Sequence, residues 1–367
     1  MAHSARAGAT GHLQVLALTR YTRMGASSRV RTMQYVAPLR THGIDVACMP
    51  LFGDSYLQDL YSGKSRSAAV VMNSYLRRAL QLLHSRRFDL LWVEKELFPY
   101  VPAVFELAAL LLGVPLVLDY DDAVFHNYDL GPSLIKRYLL GHKIDALMKL
   151  ARTTIAGNEY LAARATAAGC RRVAVLPSAI DLQLYSLQPR PLVPQQPAIG
   201  WIGSPSSTQY LSTIERALGT VCDRSCASLI VVGAGPLKLA GVPTKVRVWS
   251  ESTEVERIHE FSVGIMPLKD SPSERGKCGY KLIQYMACGL PVVASPVGVN
   301  RQIVEHGVNG FLASTDEEWT SSLSLLLSSP GLRRQMGTAG RRKVERGYCI
   351  QATAPILAGL LRESAEH

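Results

Sequence analysis

The stretch from Gly276 to Gly298 is the feature that most constrains how this 367-residue chain folds, because its character changes abruptly along its length. An amphipathic segment stops at Gly289, where a left-handed residue would close a helix, and Pro291 prevents the helix from continuing. A fully apolar run, 292–294, follows at once. Strands without polar alternation are typical of parallel sheets covered by helices on both faces. The stretch therefore predicts an α/β fold.

The same stretch carries the residue types of an anion site. Gly276 and Gly279 leave the backbone open to close approach by a ligand. Helical spacing places Lys277, Lys281 and Gln284 on one face of the predicted helix. Lysines near a helix N-terminus, where amide groups and the helix dipole favour anions, indicate a phosphate site. The alternative is that both lysines only solvate the outer face of the helix.

Two motifs within and after this stretch are similar to those of a known family. Residues 286–294 read Met-Ala-Cys-Gly-Leu-Pro-Val-Val-Ala, and residues 303–312 read Ile-Val-Glu-His-Gly-Val-Asn-Gly-Phe-Leu. Both resemble the nucleotide-sugar signature of the GT-B glycosyltransferases, in particular the retaining family 4. That family has two glutamates ahead of the first motif, whereas this chain has Gly276 and Gln284 at those positions. The resemblance implies an α/β GT-B fold of two Rossmann-like domains facing a central cleft.

The resemblance also implies roles for the residues around the signature. Lys277 and Lys281 would stabilise the leaving diphosphate, assisted by the backbone N–H groups of Gly279 and Tyr280. Gln284 would hydrogen-bond a ribose hydroxyl. Family 4 needs no protein nucleophile, and GT-B enzymes mostly work without a metal, so we expect neither a metal nor another cofactor.

The carboxylate missing at Gly276 has one replacement in the sequence. Glu274 stands two residues earlier in a loop rich in serine and proline, and such a loop could bring its side chain to the donor sugar. The alternative is that Glu274 only pairs with Arg275 at the surface.

Two further segments of the second half are candidate donor-binding elements. An apolar strand, 198–202, leads into Gly203 and Ser204 and then into a hydroxyl-rich helix start. The family usually has an arginine and a lysine after this strand, and the two signature lysines would supply that charge here. The segment around Trp249 and Glu254 lies where the family holds the nucleotide base.

The first half carries candidate residues after two predicted strands. A strand over 12–19 is followed by a loop with Gly25 and by a helix predicted over 30–41, an arrangement that cradles anions in doubly wound folds. Arg23, Arg29 and Arg31 in this region are candidates for phosphate contact, or are surface arginines on a solvated helix.

The second predicted strand, 114–118, ends in an acidic cluster. Asp121 and Asp122 follow it, with His126 shortly after, at the edge where parallel sheets bind ligands. We interpret Asp121 as a catalytic residue and Asp122 and His126 as acceptor-side residues. Their side chains would hydrogen-bond hydroxyls of the acceptor or of the donor sugar rather than bind a metal.

Composition limits the partners. The formal charge is +11, with 22 basic against 14 acidic residues in 1–190 and 18 against 15 in the remainder. A basic first half suits an anionic lipid or a phosphorylated acceptor. No nucleic-acid-binding motif accompanies the charge, so we expect no nucleic acid partner. The seven cysteines lack metal-type spacing and predict free thiols in a reducing cytoplasm.

The predicted domains are an acceptor-side domain over 1–188, a proline-rich linker over 189–197, a nucleotide-sugar domain over 198–347, and a helix over 348–367 that crosses back to the first domain. We expect neither a signal peptide nor a membrane-spanning segment.

The function predicted is sugar transfer from a nucleoside-diphosphate sugar to a glycan, lipid-linked or lipopolysaccharide acceptor, in polysaccharide or glycoconjugate synthesis. The enzyme would be cytoplasmic, with peripheral association at the inner membrane face. The alternatives are a non-catalytic GT-B partner protein and a nucleotide-sugar epimerase.

Overall fold

The structure is a computed structural model that describes residues 11–65, 67–110, 113–187, 196–235 and 237–366. The chain divides into two compact units. The first extends to Ser178 and is resumed at Ile350, and the second is Ala179–Cys349. The division precedes the linker predicted at 189–197, of which residues 188–195 lie outside the described part of the chain.

The first unit is built on a parallel sheet of six strands, in the spatial order β2-β1-β3-β4-β5-β6. The strands are β1 (Leu13–Tyr21), β2 (Ile44–Phe52), β3 (Leu90–Glu94), β4 (Leu116–Tyr120), β5 (Thr153–Ala156) and β6 (Val173–Val175). The helices are α1 (Ala26–Arg31), α2 (Val36–Thr41), α3 (Asp54–Tyr61), α4 (Ala68–Leu83), α5 (Ala103–Leu110), α6 (His126–Asp129), α7 (Leu134–Leu140), α8 (Lys143–Leu150) and α9 (Glu159–Ala167). The single helix predicted over 30–41 is wrong, because the chain turns into a 3-10 segment, Met33–Tyr35, between α1 and α2.

The second unit repeats the plan with a parallel sheet in the order β12-β11-β10-β7-β8-β9. The strands are β7 (Ala198–Ile202), β8 (Ser228–Val232), β9 (Thr244–Arg247), β10 (Val263–Met266), β11 (Val292–Ala294) and β12 (Gly310–Leu312). The helices are α10 (Glu215–Ser225), α11 (Glu254–His259), α12 (Pro272–Arg275), α13 (Tyr280–Ala287), α14 (Asn300–Ile303), α15 (Asp316–Ser328) and α16 (Pro330–Gly347). In each sheet the strands run parallel, so their carboxyl ends meet at one edge.

The last helix, α17 (Ile350–Glu366), belongs to the first unit. It packs against α2, β3 and β4. Two buried hydroxyl pairs fix it there: Tyr35 with Thr353 and Thr153 with Ser364, each 2.8 Å apart.

Glycines in the second sheet hold α13 close to the strands. A Cβ on Gly264 of β10 would lie 2.3 Å from the ring of Tyr285, so only a glycine leaves room for that ring. The Tyr285 hydroxyl in turn accepts a hydrogen bond of 3.0 Å from the Ile202 N–H at the end of β7. The helix is therefore anchored directly over the carboxyl end of the central strand.

A fully buried lysine links three elements of the first unit. The Nζ atom of Lys143, on α8, lies 2.7 Å from a carboxylate oxygen of Glu96 and 2.7 Å from one of Glu106. It also donates to the carbonyl of Phe98 at 2.5 Å. Because the ammonium group has three donors and three acceptors, its burial leaves no donor unsatisfied.

We predict that Lys143→Met destabilises the first unit by about 3–5 kcal/mol, since it leaves buried carboxylates without their cation. Burial raises the pKa of Glu106, and loss of the lysine would raise it further, so protonation should reduce the penalty as the pH falls. Urea denaturation at several pH values measures this. Lys149→Met, at an exposed site on the same helix, is the control and should cost under about 0.5 kcal/mol. Equal effects of the two changes would contradict the prediction.

Candidate functional site

The helix of the signature stretch begins later than its spacing predicts. Gly279 adopts a left-handed conformation, with φ of +66°, and α13 starts at Tyr280. Lys277 therefore precedes the helix, and the prediction that it shares a helical face with Lys281 and Gln284 is wrong. A Cβ at position 279 would lie 2.4 Å from Ile303, so both conformation and space require a glycine at this turn.

Lys281 lies in the first turn of α13, beside the end of β7. Its Nζ atom is 5.1 Å from the centre of the Trp201 ring, within cation–π distance. A Cβ on Gly203 would approach the Lys281 Cε atom to 2.7 Å and the Trp201 ring equally closely. The missing side chain at 203 thus lets a half-buried lysine lie against the loop that follows β7.

The loop after β8 packs against the loop after β7. Gly233 has φ of +81°, and a Cβ there would lie 2.6 Å from the carbonyl oxygen of Gly203 and 3.1 Å from the Trp249 Cβ. Ser204 continues the first loop into a 3-10 helix, Pro205–Ile214, and its hydroxyl lies 3.0 Å from that of Ser206. The fold therefore brings Gly203, Ser204, Trp249 and Lys281 to one edge of the sheet.

A chain of hydrogen bonds connects three of the predicted donor-binding residues through a tyrosine that the sequence did not single out. The Gln284 amide donates to the Tyr185 hydroxyl at 2.8 Å, and that hydroxyl donates to Glu254 Oε1 at 2.5 Å. The Trp249 indole donates to Glu254 Oε2 at 2.8 Å. Burial, with the nearby Tyr280 and Glu254, holds the pKa of Tyr185 well above its usual value, so the hydroxyl keeps its proton.

This chain gives a physical reason for the amide at position 284. The single proton of the Tyr185 hydroxyl goes to Glu254, so the neighbour on its other side must supply a hydrogen. Glutamine can donate, whereas an ionised glutamate only accepts.

Glu274 is held in place rather than lying free in a loop. It lies in the short helix α12 and accepts hydrogen bonds from the Tyr210 hydroxyl, at 2.5 Å, and from the Ser271 hydroxyl. Burial acts to raise the pKa of Glu274, but these two hydrogen bonds outweigh it and hold the pKa below its usual value. Arg275, the alternative partner considered for Glu274, pairs with Asp270, with 2.6 Å between Nε and Oδ1. Gly276, buried, ends α12.

The acidic cluster of the first unit contains a buried lysine. Asp121 follows β4, and its carboxylate lies 2.9 Å from the Lys95 Nζ, which also donates to Ser27 at 3.0 Å. Burial would raise the pKa of Asp121, but Lys95 and Ser27 hold it below the usual value. Lys95 itself has φ of +65°, a conformation uncommon for a residue with a side chain and one that recurs at functional sites.

The neighbouring acceptor-side candidates have partners within the first unit. The Asp122 carboxylate accepts from the Ala123 N–H at 2.9 Å. The two ring nitrogens of His126 lie 2.8 Å from Asp129 and 2.8 Å from the Tyr160 hydroxyl. His126 is therefore fixed in orientation by groups on both sides of its ring.

The loop after β1 is tightly packed. A Cβ on Gly25 would lie 2.5 Å from the Cβ of Tyr21, so this turn needs a glycine. Arg29 is buried and donates to the carbonyl of Arg23 at 3.2 Å. Arg31 forms a buried ion pair with Asp119, with 2.7 Å between Nε and Oδ1, which makes it a residue of the core rather than a phosphate ligand.

Within the described ranges, no three His, Cys, Asp or Glu side chains are grouped as metal ligands would be.

Comparison with known proteins finds a family match for part of the second unit. Residues 196–329 match the family model "Glycosyl transferases group 1". The matched residues lie within the second unit, Ala179–Cys349, which we call the group 1 domain. The chain is also 34% identical to the D-inositol 3-phosphate glycosyltransferase of Thermobispora bispora over 97 residues, which are 26% of this chain and 22% of that protein. The chain spans about a quarter or less of the length of the curated relatives that it matches first, at 22%, 23% and 25%.

Solved structures share the fold of this protein over nearly the whole chain. The Anabaena protein Alr3699/HepE, in complex with UDP and glucose, superposes with a TM-score of 0.68 at 16% identity and covers 96% of this chain and 100% of its own. WaaG, a glycosyltransferase of lipopolysaccharide biosynthesis, gives a TM-score of 0.68 at 14% identity, over 95% of this chain and 99% of its own. At such identities the likeness shows the fold. The prediction of a GT-B fold is confirmed, and membership of family 4 stays a prediction.

Three residues of the two sites were missed by sequence reasoning. Lys95 lies between two glutamates at the end of a buried strand, and this unusual position was a usable signal. Tyr185 and Tyr210 of the group 1 domain reach Glu254 and Glu274 from segments 69 and 64 residues away, so no local pattern marks them.

We predict that Gln284→Glu destabilises the group 1 domain by about 1–3 kcal/mol at neutral pH, because Tyr185 would face two acceptors with one proton. The penalty should shrink at acidic pH, where the new carboxyl group is protonated and can donate. Denaturant titrations across pH test this, with Gln302→Glu at an exposed position as the control for added charge. A variant as stable as the parent at every pH would show that the hydrogen-bond chain does not need a donor at 284.

Proposed function

We propose that the protein is a glycosyltransferase that moves a sugar from a nucleoside-diphosphate sugar to a glycan or lipid-linked acceptor, with retention of configuration. The observation that carries the proposal is the position of Lys281 in the group 1 domain. Its ammonium group lies at the carboxyl end of β7, in the first turn of α13, where two glycine loops meet. A cation beside closely approaching backbone at a helix start is suited to a diphosphate.

In the proposed reaction, the bond between the anomeric carbon and the diphosphate oxygen breaks. The acceptor oxygen forms the new bond on the same face of the sugar, and its proton passes to the leaving diphosphate. Negative charge grows on the diphosphate as the bond breaks, so fixed positive charge there lowers the barrier. Lys281 supplies that charge together with Lys277 and the Gly279 and Tyr280 amides.

Three other groups of the domain complete the proposed donor site. The Trp249 side chain, held by Glu254, is proposed to contact the base. Gln284 is proposed to reach a ribose hydroxyl while remaining bonded to Tyr185. Glu274, kept ionised by its two hydroxyl donors, is proposed to contact the donor sugar in place of the glutamate absent at Gly276.

The acceptor is proposed to bind at the first unit, beside Asp121. Because Lys95 keeps the Asp121 carboxylate ionised, that carboxylate accepts hydrogen bonds from hydroxyl groups and orients them. Asp122 follows Asp121 directly, and His126 begins α6. Gly25 closes the loop after β1, and Arg29 lies in α1.

We propose a cytoplasmic enzyme that acts at the inner membrane face, on a glycan, lipid-linked or lipopolysaccharide acceptor and without a metal. The basic excess of the first half supports attraction to anionic lipid. In the described part of the chain, no helix has the length and apolar character needed to cross a bilayer.

We predict that UDP or GDP raises the melting temperature without added metal. Ligand at about 100 times its dissociation constant stabilises by about 2.7 kcal/mol. Lys281→Ala should abolish most of this shift, because it removes the charge beside the diphosphate. The control is Lys238→Ala, at an exposed position of the same domain. If no nucleoside diphosphate shifts the parent protein, with or without magnesium, the donor-site assignment is wrong.

We predict that Glu274→Ala lowers kcat/KM by at least tenfold, which corresponds to about 1.4 kcal/mol of lost transition-state stabilisation. Asp270→Ala removes a neighbouring carboxylate that pairs with Arg275, and turnover should stay within about twofold, as for most surface changes. Tyr210→Phe removes one hydrogen bond to Glu274 but keeps the carboxylate. It therefore tests whether the orientation of Glu274 matters in addition to its presence. A Glu274→Ala enzyme with the parent's kcat/KM would assign this glutamate a structural role only.

Incubation with a panel of nucleotide sugars distinguishes the proposed transfer from the two alternatives. Transfer to an added acceptor supports the proposal. An epimerised nucleotide sugar would indicate an epimerase, and binding without any turnover would indicate a non-catalytic GT-B partner protein.

A further inference from the structure

Helix α7 of the first unit exposes an unusual number of large apolar side chains. Leu134, Ile135, Tyr138 and Leu139 are between 58% and 89% exposed. We call these four residues the α7 face. Their neighbour Leu140 is buried and attaches the helix to the unit, so the helix has one packed side and one open side. Contiguous exposed apolar surface of this kind marks a site of interaction rather than ordinary surface.

Apolar exposure continues beside α7. The Lys136 ammonium lies 4.6 Å from the ring centre of Tyr100, which is itself exposed. This contact brings Tyr100 next to α7, and Val104 and Phe105, exposed near the start of α5, follow it closely in the chain. Tyrosine beside aliphatic side chains and a lysine is the composition of a membrane–water interface.

The charged side chains on α7 itself are basic, and the aspartates on either side of it, Asp129 and Asp145, pair with Arg164. From Leu130 to Ile144 the sequence contains Lys136, Arg137 and Lys143 and no acidic residue. Lys143 is buried in its ion pair with Glu96, whereas Arg137 is exposed beside the α7 face. An apolar helix face flanked by cations complements a surface that is anionic outside and apolar beneath.

The size of the α7 face favours a bilayer over a protein partner. A stable protein interface buries about 800 Å² on each side, and four side chains on a seven-residue helix provide much less. An interfacial helix needs only to enter about 5–10 Å into the headgroup region, where backbone ends stay hydrated.

We propose that the α7 face docks on an anionic lipid bilayer, with its four apolar side chains inserted below the headgroups and Arg137 paired with lipid phosphates. The proposal rests on the proposed function for its purpose, which is to hold the acceptor side of the enzyme at a surface carrying lipid-linked acceptors. It goes beyond general electrostatic attraction, because insertion assigns most of the binding to named apolar residues.

Co-sedimentation with phosphatidylglycerol–phosphatidylcholine vesicles tests the proposal. The double variant Ile135→Glu/Tyr138→Glu should lower the partition coefficient at least tenfold, since two inserted apolar side chains are replaced by charges. The control is Ile356→Glu, which places one such charge at a 55% exposed isoleucine of α17 and should bind like the parent, and the single variant Ile135→Glu, which also adds one charge, should bind more weakly than this control. Rising salt should weaken binding of the parent only in part, because apolar insertion is not screened.

A second measurement does not depend on a disruptive change. In Tyr138→Trp, brominated phospholipids in the same vesicles should quench the new fluorescence, whereas the parent's own tryptophans provide the baseline. The melting temperatures of all variants are measured alongside, and a folded Tyr138→Trp protein without quenching overturns the proposal.

Two further outcomes would also overturn it. One is a double variant that binds vesicles as well as the parent. The other is a parent protein that ignores vesicles but sediments as a dimer that the double variant disrupts, which would assign the face to a second copy of the chain. None of these measurements requires donor or turnover, so a failed UDP shift with intact vesicle binding removes the proposed function and leaves this docking surface standing.

Discussion

The contact between Lys281 and the sheet end depends on the absence of a side chain at position 203. Any Cβ there would occupy the space of the Lys281 stem and the Trp201 ring. A side chain at 203 would push the Lys281 ammonium group outward into solvent, where its interaction with an anion is weakest. The glycine at 264 has a related effect, because it seats the Tyr285 ring and thereby fixes α13 at the height from which Lys281 extends. Gly203 and Gly264 thus determine the position of the Lys281 ammonium group.

Both units place charged groups inside the fold and give several of them an internal partner. In the first unit Lys95 lies between Asp121 and Ser27, and in the second Glu254 accepts from Tyr185 and Trp249. Such groups are costly to bury unless they are paired, and the pairing fixes their orientation before any ligand arrives. These polar groups are therefore oriented by contacts within their own unit.

Sequence patterns predicted the fold well because parallel α/β units repeat a local signal: a short apolar strand, a polar end and a helix. The strand at 292–294 and the helix stop at Gly289 could be read from a few adjacent residues. The candidate site was harder to predict from the sequence, because its geometry depends on groups that are distant along the chain. The left-handed turn at Gly279 separates Lys277 from the helix. Arg31 pairs with Asp119, which is 88 residues away, and no local sequence pattern predicts this contact.

The position of α17 makes the first unit depend on a segment that is distant in sequence. The first unit is assembled from two separated parts of the chain, and Thr353 and Ser364 of α17 close buried hydroxyl pairs in it. The second unit is one continuous segment that lies between those parts. Residues 179–349 contain every strand and helix of the group 1 domain, whereas the sheet of the first unit lacks a covering helix until α17 packs on it. Loss of α17 would therefore open the core of the first unit, although the second unit would keep all of its own elements.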